Sequence, residues 1–459
     1  LQRRIRLGRK SAKLEDEPLL ERVKFLGQCY VEGNKAYEGE EKGEVIEINK
    51  KIYANDPEIM EIWKKTRAWS LEYFDHIYAL LGSRFDRFYF ESEVSQPGTI
   101  IAKEALISGI LTESEGAVIF DGTPYGLDKR VFLNSQGLPT YEAKELGLAS
   151  LEFSQFGEID KCIHVVGPEQ QSFFKVTFKV EELLDPKKYT GKQYHFAYGY
   201  VQLKEGKMSS RKGNIITALS VIERAKEGIK KLIKSGSLTA EEEERVVEAV
   251  AVGAVKYSML RGEARNDIAF GLKESIALEG NSGPYLQYTY ARARSVLRKS
   301  EISNPRHSGR RSGIHGSQIS TRGGSAFGGK SGMTNGDPDR SENVWDFRPE
   351  ELTLLRTLYK FPEVVETAAL NYQPHLICNF LFDLAQKFNS FYNNVPILDK
   401  GYSAVILAKA GIRNMDSGST SGMTSNQFAP NFRLSLTTST AHVLKNGLYL
   451  LGLEAPERM

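Results

Sequence analysis

The chain has 459 residues, 41% of them hydrophobic, with 23 Phe and 21 Tyr, which suffices for two or three cored domains. A formal net charge of +3 does not mark the whole protein as a nucleic-acid binder, and Cys29, Cys162 and Cys378 lie too far apart for a CxxC or Cys/His ligand spacing. Neither a disulfide framework nor a protein metal site is therefore expected, and with no apolar run near the roughly 18 residues that span a bilayer, a cytoplasmic protein without membrane attachment is the expectation. Charge is unevenly distributed. Residues 1–13 hold six Lys/Arg and no acid, and residues 287–340 hold ten Lys/Arg against three Asp/Glu. Either stretch suits a phosphate backbone, although plain solvated charge explains both as well.

In chain order, the apolar residues from Pro57 to Gly82 recur mostly at three- and four-residue steps, predicting an amphipathic helix ended by a glycine. Short strand-like runs follow at 116–120, 130–134, 162–167 and 194–203, separated in part by helical stretches such as 168–184. This alternation predicts an α/β sheet. Beyond about residue 238 the strand signal stops; 241–261, 374–395 and 441–453 read as helices, so the second half is expected to be all-α. Two segments fit neither half. Residues 301–343, of which 17 are Gly or Ser, and residues 411–430 are aperiodic, share the tetrapeptide SGMT, and cannot bury enough apolar surface to offset chain entropy.

The stretch GKMSSRKGN, 206–214, follows the last strand run and precedes the helical 218–233. Glycines, hydroxyls and ammonium groups at the carboxyl end of a strand suit a polyphosphate, since N–H and O–H donors there converge on its oxygens. Taken alone, the nine residues are equally a solvated basic turn.

With four further stretches in order, FYFESEV (88–94), LPTYEAKELGLA (138–149), HVVGPEQQSFF (164–174) and LEGNSGPYLQYTYARARS (278–295), the chain resembles arginyl-tRNA synthetases, of the class I aminoacyl-tRNA synthetases. The closing VLKNGLYLLGLEAPERM is similar to the end of that family's anticodon-binding domain. The resemblance implies an incomplete Rossmann-type catalytic domain over 1–238, a helical junction over 239–300, a low-complexity insertion over 301–343, and an all-α anticodon-binding bundle over 344–459 with a second low-complexity loop at 411–430. It implies an arginine–tRNA ligase that forms arginyl-adenylate from L-arginine and ATP with Mg²⁺, then esterifies tRNA(Arg), acting as a monomer. The ATP loop would comprise Gly206, Lys207, Met208, Ser209, Ser210, Arg211 and Lys212. Ser210 stands where the family usually has lysine, which leaves either Arg211 or Lys212 to supply that charge.

For the amino acid, the resemblance implies Glu93, Tyr141, Glu145 and Gln170. Glu145 replaces the family's usual Asp and reaches one methylene further. A planar guanidinium is best selected by carboxylates, although each of these residues alone reads as ordinary surface or capping chemistry. Tyr285, Gln287, Tyr288, Arg292, Asn389 and Tyr392 would be the tRNA contacts, through stacking and phosphate pairing. One signature is absent: none of the seven histidines lies in the class I His-x-Gly-His motif that binds the triphosphate. The family's N-terminal tRNA-binding domain and the first half of its nucleotide-binding fold are not recognised either. Leu1 is then expected to be the edge of an incomplete chain that does not charge tRNA by itself. A degenerate synthetase retaining only tRNA binding, or another class I synthetase, is the alternative.

Overall fold

The structure is a computed structural model that describes residues 14–204, 217–233, 238–302, 347–398 and 425–459. The chain divides into two compact units that interleave in sequence: Leu1–Ala225 with Ser258–Glu274, and Lys226–Tyr257 with Ser275–Met459.

The first unit begins with helices α1 (Leu19–Glu38), α2 (Lys42–Tyr53) and α3 (Pro57–Leu81). The last matches the predicted helix and shows why it starts and stops. The Asp56 side chain accepts from the Ile59 N–H at 3.2 Å, Pro57 takes the first turn, and Gly82 closes the helix at φ 62°.

Next come α4 (Glu91–Ile107), an antiparallel sheet of β1 (Thr112–Ser114), β2 (Ala117–Phe120) and β3 (Arg130–Leu133), and α5 (Tyr141–Gln155). The α4 and α5 backbones touch through glycines: a Cβ on Gly98 would lie 2.0 Å from the Ala143 carbonyl oxygen, and one on Gly147 2.4 Å from that of Val94. Ala102, Ala105, Phe120, Phe132, Leu146, Val176 and Val180 form the core beneath this crossing.

Two parallel strands follow, β4 (Cys162–Val166) and β5 (Gln193–Ala197), joined through α6 (Gln171–Leu184) and the single turn α7 (Pro186–Tyr189). This is a crossover with the helix placed as a parallel pair requires. The run 194–203, read from sequence as one strand, is two. Gly199 breaks it, donating to the Ala264 carbonyl at 2.8 Å, with its Cα so close to Asn266 that an added Cβ would lie 2.2 Å from that backbone. After the break β6 (Val201–Leu203) pairs in parallel with β7 (Ile268–Phe270).

That last strand corrects the all-α expectation for everything beyond residue 238. Three residues, Ile268-Ala269-Phe270, are too few to show a period of two, and they return the chain to the first unit after α8 (Ala218–Lys230) and α9 (Ala240–Leu260).

The remainder is helical: α10 (Leu272–Ser275), α11 (Gly283–Ile302), α12 (Pro349–Tyr359), α13 (Phe361–Asn371), α14 (Pro374–Asn394) and α15 (Ser425–Leu450). In α14 the predicted apolar stripe is the core of the second unit: Ile377, Leu381, Leu384, Phe388 and Phe391 are buried, while Tyr392 at its edge stays 38% exposed. Arg433 ties α15 to α12 by a 2.7 Å bond from Nε to the buried Glu351 carboxylate, which also caps α12 by accepting from the Arg348 N–H. The low-complexity segments 301–343 and 411–430 lie almost wholly outside the described residues, apart from the end of α11 and the start of α15.

Candidate active site

In the first unit, α4, α5, β4 and the turn Pro168–Gln170 surround a cavity of about 590 Å³. Tyr141 and Glu145 reach it from the first turns of α5, four residues apart and so on one face of the helix. Gln170 comes from the loop that leaves β4. Three residues spread over 30 positions of sequence thus line one space. Tyr141 is 69% exposed at its mouth, and Glu145 lies deep, with its side chain 11% exposed.

Glu93, expected as the fourth, is not among the lining residues. Its carboxylate accepts from Arg87 Nη2 at 2.9 Å, and Glu91 lines the cavity instead. Two residues on a helix are separated by about 200°, which takes one acid to the wall and the other off it.

The lining charges are largely matched. Arg130 Nη1 bonds Glu142 at 3.2 Å, and Lys144 Nζ bonds Glu91 at 2.7 Å. Glu145 is different: burial, with the nearby Glu152 charge, pushes its carboxyl up to about 8, and its Oε1 has no hydrogen-bond partner. An entering cation would find there an acid with unused acceptor capacity. His164, Arg130, Glu142, Lys144 and Glu91 were not singled out from sequence. All but Arg130 stand inside quoted motifs, and the cation–acid pairs, 130 with 142 and 144 with 91, are spaced too far apart in sequence to be seen there.

The loop residues Gly206, Lys207, Met208, Ser209, Ser210, Arg211 and Lys212 lie outside the described residues. Among the described residues no cluster of His, Cys, Asp or Glu has the arrangement of a metal site, and no helix is long and apolar enough to cross a membrane.

In the second unit, five of the six residues expected at tRNA converge where α11 meets α14. Arg292 donates from Nη1 to Asn389 Oδ1 at 2.6 Å and lies over two rings, 4.8 Å from Tyr288 and 5.2 Å from Tyr392. Asn389 Nδ2 donates to the Tyr285 hydroxyl at 2.9 Å. Tyr288 and Tyr392 remain 36% and 38% exposed, leaving ring surface for stacking. Gln287 sits apart from them. It is fully buried, and its Nε2 donates to the carbonyls of Ala249 at 3.1 Å and Glu454 at 2.7 Å. Its neighbour at 288 takes a different, partly exposed side because one residue turns an α-helix by about 100°.

A crossover sheet with an acid-lined pocket, joined in sequence to a helical unit, is the plan of a class I aminoacyl-tRNA synthetase. Residues 10–272 match the family described as "tRNA synthetases class I (R), catalytic domain", and residues 329–459 match "DALR anticodon binding domain". The chain belongs to the arginyl-tRNA synthetase family.

It is 34% identical over 423 residues to an arginine–tRNA ligase of Phocaeicola vulgatus, a match covering 91% of this chain and 60% of that one. With the enzyme of Bacteroides thetaiotaomicron it shares 32% over 461 residues, covering 95% and 68%. The chain thus spans roughly two thirds or less of the length of these relatives. The crystal structure of arginyl-tRNA synthetase from Plasmodium falciparum has the same fold, with a TM-score of 0.64 at 20% identity over 92% of this chain and 62% of that one.

Proposed function

We propose that the chain is part of an arginine–tRNA ligase, holding L-arginine in the cavity of the first unit and ATP with Mg²⁺ at residues 206–214. The convergence of Tyr141, Glu145 and Gln170 on one acid-lined space carries this reading. Glu145 accepts the guanidinium N–H groups, Tyr141 covers the mouth, and Gln170 offers amide hydrogen bonds to the amino acid. Lys207, Ser209, Ser210 and either Arg211 or Lys212 neutralise the charge that develops as pyrophosphate leaves. Glu93 then acts at one remove, by fixing Arg87 beside the first turn of α4. The exposed Tyr288–Arg292–Tyr392 surface, supported by Asn389 and Tyr285, binds tRNA(Arg), and Gln287 holds that surface from within. The protein acts as a cytoplasmic monomer. Because no His-x-Gly-His signature occurs in the 459 residues, the chain alone is expected to bind arginine without detectably charging tRNA.

Binding is therefore the first test. L-arginine should raise the thermal midpoint of the first unit where L-lysine and L-glutamine do not, and Glu145→Gln should abolish the rise. Stabilisation by lysine or glutamine in place of arginine would overturn the assignment.

A further inference from the structure

Behind Glu145 lies a chain of polar groups that the proposed reaction leaves unexplained. Gln193, the first residue of β5, donates from Nε2 to Glu181 Oε2 at 2.6 Å. Its Oε1 therefore faces His164, whose Nε2 is 2.9 Å away and must carry the hydrogen of that bond. A neutral imidazole with its proton on Nε2 has a bare lone pair on Nδ1. That Nδ1 faces Glu145 Oε1 at 3.6 Å, just beyond hydrogen-bond distance. Oε1 is shut off from solvent and meets no donor. Two acceptors would thus oppose each other unless one carries a proton. The ring is not free to turn away, because the rings of Phe174 and Phe178 pack on it with centroids 4.9 and 5.1 Å distant.

We infer that Glu181, Gln193 and His164 form a hydrogen-bonded relay that keeps Glu145 protonated while the pocket is empty, so that arginine enters a neutral site and binds by displacing that proton. On binding, the Glu145 O–H bond breaks, the proton passes to solvent through the cavity, and the new carboxylate accepts the guanidinium N–H bonds. His164 is a positioning residue, acting on arginine only through Glu145.

The surroundings agree. The other titratable groups around Glu145 and His164 are Glu152 on the helix of Glu145, Cys162 on β4, Glu181 on α6 and, beside His164, His195 on β5, none of which supplies a fixed positive charge. The lining cations Arg130 and Lys144 are held by Glu142 and Glu91. Burial lowers the His164 pKa, against an imidazolium, and raises those of Glu145 and Glu181. A neutral isostere of arginine, L-citrulline, can use the protonated acid as it stands. Preference for arginine over citrulline should then rise with pH.

The inference rests on Glu145 meeting the arginine side chain, and the experiment separates the two. Calorimetric titration of the chain with L-arginine at pH 7, in phosphate and in Tris, should show about one proton released per arginine bound. The arginine Kd should fall about tenfold from pH 6 to pH 7 and level off above pH 9, while that of L-citrulline stays flat. His164→Phe, which keeps the ring packing and removes the acceptor, should move the midpoint of that profile to lower pH. Arginine binding with no proton release and a flat Kd, or an unmoved midpoint in His164→Phe, overturns the relay and leaves the arginine pocket standing. Absence of arginine binding overturns the arginine pocket. The relay is then decided in the ligand-free protein by ¹⁵N NMR: a neutral His164 with its proton on Nε2 upholds it, and an imidazolium or a proton on Nδ1 overturns it.

Discussion

Gln287→Leu separates a buried structural amide from an RNA contact. The side chain is fully buried, and its Nε2 satisfies two carbonyls, those of Ala249 and Glu454. Each bond is worth about 1 kcal/mol net, and each carbonyl left dry adds a desolvation penalty of the same order. Leucine has nearly the same volume, so no large cavity forms, and it removes the amide Oε1, which is buried without a partner and is itself unfavourable. The balance is a loss of about 2 to 3 kcal/mol, or about 4 to 12 °C in the melting of a unit of this size. Circular dichroism at 222 nm during heating reads the loss. tRNA binding, measured well below the transition, should stay within about twofold of wild type. Tyr288→Ala and Arg292→Ala should do the reverse, weakening tRNA binding about fivefold or more through lost stacking and charge with little change in melting. A Gln287→Leu chain that melts normally but has lost tRNA affinity tenfold would refute this placement of the residue.

Gly98→Ala should prevent α4 and α5 from closing, because the new methyl would meet the Ala143 carbonyl backbone; we expect several kcal/mol of destabilisation and loss of arginine binding, read by urea unfolding and calorimetry. Glu145 makes the first unit's stability fall with rising pH. Burial pushes its carboxyl up to about 8 from the ordinary 4.5, so its contribution is present below pH 4.5 and is lost progressively up to pH 8. Glu145→Gln should flatten that decline, on the order of a few kcal/mol, in denaturant titrations from pH 5 to 8.5; an unchanged slope would place the proton elsewhere. Replacing 305–340 by a short linker should leave the melting midpoint within a few degrees and tRNA affinity nearly intact, since loop length costs only about 0.6 kcal/mol per doubling. A tenfold weaker, less salt-dependent tRNA complex would instead make Arg306, Arg310, Arg311 and Arg322 an RNA arm.

Long periodic elements were legible in the sequence because their signal is local. Pro57–Leu81 and Pro374–Asn394 carry a helical apolar stripe with proline at the start, and the first also carries its closing glycine. The sites were legible in part. Tyr141, Glu145 and Gln170 could be named through family motifs, but Glu91 and Glu93 both stand in FYFESEV, and only the phase of α4 decides which of them meets the cavity. Gln287 and Tyr288 pose the same problem, since adjacent letters differ by about 100° around the helix, enough to bury one and expose the other. The relay behind Glu145 had no sequence signal at all. Its members lie at 164, 181 and 193, on one helix and two strands, and only the parallel pairing of β4 with β5, which sets Cys162 opposite Gln193 and His164 opposite His195, brings the imidazole within reach of the Gln193 amide. The strand Ile268–Phe270 was invisible for a related reason: its partner is 67 residues earlier in the chain, and a three-residue run has no pattern of its own.

That late strand also bears on how the protein is made. As the chain leaves the ribosome, β6 emerges at residues 201–203, but the strand that covers its edge comes only with residues 268–270, after 226–257 of the other unit have been synthesised. Throughout that interval β6 presents unpaired backbone N–H and C=O groups, an edge open to pairing with another nascent chain. A chain ended between residues 204 and 267 should accordingly leave the β6 edge open to intermolecular pairing, whereas one ended beyond Phe270 closes that edge. No single proteolytic cut can part the two units cleanly, because the polypeptide crosses between them three times.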